Sequence, residues 1–83
     1  MEKLNKIEKR INGILARREY FRSAGVGEAA MARTAELQGA IDTLADFGYK
    51  VEPTGESSLA YFHDGTVVTF NPVRIVEEEA RQC

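Results

Sequence analysis

"REYFRSAGVGEAA", residues 18–30, is the stretch on which the fold turns. Helical spacing runs up to it and resumes after it, and between lie two glycines, Gly25 and Gly27. A glycine takes the left-handed conformation that ends a helix at little steric cost, so this spacing predicts a turn between two helices. Upstream, Leu4, Ile7, Ile11, Ile14, Leu15 and Phe21 recur every three or four residues and fall on one helix face. Downstream, Val26, Ala30, Leu37, Ala40, Ile41, Leu44 and Phe47 do the same until Gly48 stops the pattern. Residues 1–24 and 27–47 are therefore expected to form an antiparallel helical hairpin.

The same stretch contains "GVGEAA" (25–30), which fits G-x-G-x-x-A at the start of a helix. A dinucleotide site needs a strand before those glycines. Here "ARREYFRSA" precedes them and reads as helix, so that site is excluded. What remains is a helix start whose free N–H groups favour an anion, partly satisfied by Glu28 in its first turn.

Two arginines sit where the apolar stripes call for hydrocarbon. At about 100° per residue, Arg18 lies within the stripe set by Leu4, Ile11 and Leu15, and Arg33 within that of Val26, Leu37 and Leu44. An antiparallel hairpin brings both to one level, with Arg17, Arg22 and Tyr20 nearby. Unpaired buried cations cost several kcal/mol, so the spacing leaves two resolutions. Either the guanidinium groups reach water, Glu19 or Glu36, or the end of the hairpin receives an anion or an acidic partner.

Beyond Gly48 the pattern changes period. "YKVEP" (49–53) alternates and reads as a strand ended by Pro53; "SLAYFH" and "TVVTF" flank Asp64-Gly65, a strong hairpin signal. A two-residue turn there pairs Tyr61 with Val68 and Leu59 with Phe70. Those four would then share the inner face, leaving Ala60, Phe62, Val67 and Thr69 as an apolar outer face for a partner or a second copy. Residues 49–70 are expected to form a three-stranded antiparallel meander. Asn71 and Pro72 look like a helix cap and first turn, predicting a short helix over 72–82, although "VRIV" also suits a strand. The expected class is α+β in one domain spanning residues 1–83.

Size and composition narrow the functions. The chain has 83 residues, 43% hydrophobic and 29% charged, in the range of a globular domain. Its net charge of −2 divides into +4 over residues 1–22 and −6 over 23–83. His63 is the only histidine and Cys83 the only cysteine, so a metal site lacks its usual ligands and an internal disulfide is impossible. Neighbouring strand residues point oppositely, and Asp64 belongs to the turn, so a His63–Asp64 catalytic pair is not expected. No run approaches the ~18 apolar residues of a membrane span, and a cytoplasmic protein is expected.

These features predict a non-enzymatic interaction module without a cofactor. It would bind a partner protein, as a small inhibitor or regulator of the kind phages and mobile elements carry, and would form a homodimer. Two alternatives stay open. Lys3, Lys6, Arg10 and Arg17 on the first helix offer a row for nucleic-acid phosphates, against an acidic pI near 5.4. Arg17, Arg18, Arg22, Arg33 and Tyr20 would hold a small anionic ligand or a nucleotide.

Overall fold

The computed structural model describes residues 2–56, 58–61 and 64–77. Helices α1 (Glu2–Ser23) and α2 (Gly27–Asp46) lead into strands β1 (Tyr49–Pro53), β2 (Ser58–Tyr61), β3 (Val67–Phe70) and β4 (Val73–Glu77).

The helical hairpin forms as the glycines require. Gly25 has φ +80°. Its N–H donates to the Arg22 carbonyl (3.2 Å), and the Val26 N–H reaches back to the Phe21 carbonyl (2.9 Å). This crossed pair is a Schellman motif, which satisfies carbonyls that the end of α1 would otherwise leave open. Gly48, at φ +88°, ends α2 in a similar way by donating to Ala45.

The β region corrects the expected meander. The strands form two antiparallel pairs, β1 with β4 and β2 with β3, so the β2–β3 hairpin is nested between the partners of the other ladder. Residues 73–77 are strand, not the start of a helix over 72–82; residues 78–82 lie outside the described residues. Val73, Ile75 and Val76 are β-branched and favour the extended form. Val51 faces Ile75 across the ladder, and Glu52 faces Arg74, whose guanidinium lies 3.0 Å from the carboxylate.

Helix α1 completes what β1 cannot. Asn12 Nδ2 donates to the Val73 carbonyl (3.0 Å), and the Val73 N–H donates to Asn12 Oδ1 (2.8 Å). One turn earlier, Glu8 Oε2 accepts the Ile75 N–H at 3.0 Å. Four helical residues rise about 6 Å and two strand residues about 6.8 Å, so side chains at 8 and 12 match backbone groups at 75 and 73. A residue that gives both its backbone groups to α1 in this way is held extended, which is why Asn71-Pro72 opens a strand.

The β2–β3 register also differs from expectation by one residue: Ala60 pairs with Val68, Ser58 with Phe70 and Tyr61 with Val67. Five residues, 62–66, separate the last pair, where a two-residue turn was predicted. Asp64 sets this geometry: its carboxylate accepts the Thr66 N–H at 2.9 Å, while Gly65 takes φ +83°. A one-residue slip exchanges the faces of one strand relative to the other. Ala60 thereby joins Val68 instead of the outer set.

The core is thin and centred on α1. Among the described residues the buried apolar side chains are Ile11, Ile14, Leu15, Ala16, Leu44 and Val68. Helix α1 packs on α2 and on β3 and β4, while α2 meets the strands through β1. The radius of gyration is 13.8 Å, against about 12 Å for a compact domain of this length.

Replacing Asn12 with alanine would strand the half-buried N–H and carbonyl of Val73 and should lower stability by about 2 kcal/mol. Urea unfolding followed by circular dichroism would measure it. Thr34→Ala, which removes an exposed hydroxyl bonded within α2, serves as a control and should change stability by less than ~0.5 kcal/mol. Equal effects would mean that the Asn12 clasp contributes nothing special.

Candidate functional site

The five residues expected to form one anion site meet different surroundings. Arg17 is exposed. Arg22 pairs with Glu19 at 2.9 Å, one helical turn away. Arg33 Nε lies 3.5 Å from Glu36 Oε1, with both atoms buried, so this guanidinium finds its counter-charge on its own helix. Tyr20 stacks edge-on against Phe21, centroids 5.4 Å apart, and its hydroxyl donates to Asp64 at the tip of the β2–β3 hairpin. Tyr20 is thus a tie between α1 and the strands.

Arg18 is the exception. It is half-buried, its Nε is fully buried, and that atom meets no acceptor among the described residues. It lines a cavity of about 230 Å³ between α1 and the end of β3, with Leu15, Glu19, Thr69, Phe70 and Asn71. Arg33 is not among these walls, so the arginine pair anticipated from helical spacing does not share this cavity. The start of α2 has no side-chain cap, and Glu28 supplies the negative charge in its first turn.

Of the expected partner face, Val67 and Thr69 are exposed, whereas Ala60 is half-buried opposite buried Val68. Phe62 lies outside the described residues, as does His63. The described residues hold no group of three or more metal-ligating side chains, and none of their helices is long and apolar enough to cross a membrane.

A second feature was not read from the sequence. The furrow between α1 and α2 stays open on one side, in two adjoining hollows of about 320 Å³ each that share Ile7 and Leu44. One continues past Ile11 and Ala40, with Arg10 and Glu36 on opposite rims. The other reaches Leu4, Phe47 and Tyr49, with Lys3 at its edge. Phe47 is 73% exposed and Ile7 36%. The furrow exists because α2 presents Gly39, Ala40 and Thr43 there, side chains too short to fill the space beside the α1 isoleucines. The periodicity places Phe47 on the apolar stripe of α2, but the helix ends at Asp46 and the ring just beyond it is exposed.

The Tyr20–Asp64 bond raises the tyrosine pKa above its ordinary 10.0, first through the hydrogen bond to Asp64, then through desolvation and the carboxylate's charge. A raised value means that the tie is intact below pH 10 and is lost as pH rises through the shifted pKa. Absorbance titration near 295 nm should show one tyrosine ionising above the usual range, and Asp64→Asn should return it to that range. An unchanged titration would remove this contact from the fold. Neither a protein-family model, nor a curated protein, nor a solved structure matches the chain.

Proposed function

We propose that this protein is a non-enzymatic interaction module that works as a pair of identical chains, joined through the furrow between α1 and α2. The observation that carries the reading is an apolar furrow whose two rims bear opposite charge. Arg10 and Lys3 stand on the α1 side, and on the α2 side stands Glu36, one of whose carboxylate oxygens faces Arg33 while the other is left for the furrow. Helix α1 carries a net +4 and α2 a net −3.

That polarity selects one arrangement. Two hairpins stacked about a two-fold axis parallel to the helices place each α1 over the partner's α2, whereas a perpendicular axis places like over like. Only the first pairs basic rim with acidic rim, as an isologous interface requires. A helix-pair face about 30 Å long and 20 Å wide offers roughly 600 Å² per copy, or about 1,200 Å² in total, within the range of specific interfaces. The thin core and the high radius of gyration support the same reading, since a second copy would cover Ile7 and Phe47. An inhibitor or regulator of a different protein would use the surfaces left outward, Val67 and Thr69 among them. The nucleic-acid alternative uses the same basic residues, Lys3 and Arg10, that this pairing places against acidic groups.

Light scattering and sedimentation should find a dimer at tens of micromolar. Ile7→Asp with Phe47→Asp should give a monomer of unchanged helicity. Arg10→Glu should weaken pairing about tenfold at low salt, a gap that narrows toward 1 M salt as screening takes over. A wild-type chain that stays monomeric, or a dimer indifferent to all these changes, would overturn the proposal.

A further inference from the structure

We propose that the cavity at Arg18 is a binding site for a carboxylate carried on a short apolar stem, an inference independent of the pairing through the furrow. Among the described residues Arg18 has no ionic partner, and every other arginine there either has one or is exposed: Arg22 with Glu19, Arg33 with Glu36, Arg74 with Glu52, and Arg10 and Arg17 at the surface. Its Nε, buried to below solvent contact, faces no acceptor among the described residues. A guanidinium offers its donors as a planar fork, which a carboxylate matches with two parallel bonds. Such a group would bond the terminal nitrogens of the fork, because Nε itself is closed to an atom the size of water.

The remaining walls define the rest of the ligand. Leu15 and Phe70 supply apolar surface, while Thr69 and Asn71 mark a polar rim. A volume of about 230 Å³ accommodates a group the size of a short fatty acid or phenylacetate. Glu19 also borders the cavity, its carboxylate held by Arg22 at 2.9 Å. One cation beside one fixed anion suits a single negative charge and disfavours a phosphate dianion. The carboxylate has two sources with this chemistry, a free small acid or the C-terminus of a polypeptide.

The test uses the full chain, labelled with ¹⁵N, and follows the Arg18 Nε–H resonance by NMR. Sodium butyrate and phenylacetate should displace it saturably, whereas butyramide, and sodium chloride at matched ionic strength, should not. Arg18→Gln should lose at least about tenfold in affinity, read from backbone amides of Thr69 and Phe70, and Arg18→Lys should lose less. A short peptide with a free C-terminus, compared with its amide, distinguishes the two sources: tighter binding than butyrate, lost on amidation, assigns the site to a polypeptide end, and a preference for butyrate assigns it to a small acid. No saturable displacement by any carboxylate, or an equal response to chloride or inorganic phosphate, would overturn the proposal and leave the terminal nitrogens of Arg18 to solvent.

Discussion

The structure depends on α1 behaving as a strand toward β4. A strand has two hydrogen-bonding edges, and β4 gives one to β1. Its other edge would expose backbone groups to solvent or to another chain. Asn12 and Glu8 cover that edge at Val73 and Ile75, using side-chain atoms in place of a backbone ladder. This fixes the distance and angle between the helical hairpin and the β1–β4 pair. Once they are fixed, the buried face of α1, with Ile11 and Ile14 at its centre, is committed to the interior. The furrow toward α2 and the cavity at Arg18 are the spaces left on either side of it.

Local chemistry made part of this legible in the sequence. Gly25 and Gly48 mark helix ends because only residues tolerant of positive φ fit there, and both appear where the periodicity breaks. Asp64-Gly65 announced a hairpin, which is present, but did not determine its register. That register rests on an Asx-type bond to Thr66 and on the pull of Tyr20, 44 residues away. Pairing of β1 with β4 was illegible for a related reason. Adjacent strands are the safe expectation, and the preference for β4 resides in Asn12, a polar residue that looked like an ordinary position beside an apolar stripe. The stranded charge of Arg18 was visible as a violation of helical patterning, while its cavity required the position of Phe70.

The furrow arises from economy of side-chain volume. Helix α2 uses Gly39, Ala40 and Thr43 where larger residues would have closed the furrow. A chain of this size buries a limited share of its surface in any case, and an elongated one buries less. The Arg33–Glu36 pair shows how the fold treats a misplaced cation when a carboxylate is within one turn. Arg18 has Glu19 beside it in sequence, but that carboxylate turns to Arg22. The two arginines began as equivalent oddities, and their neighbours made them different.

The clasp between α1 and β4 joins residues 61 and 67 positions apart. A chain growing from the ribosome therefore makes Glu8 and Asn12 long before it makes the backbone groups they hold. During that interval the helical hairpin can form from neighbouring residues alone, with its strand-facing side uncovered. Forming the nested β2–β3 hairpin first shortens the loop that β1 and β4 have to close, which lowers the entropy cost of that closure. Synthesis thus presents the two helices before the strands of the outer ladder, and the nascent helical pair depends on the remainder of the chain for its cover.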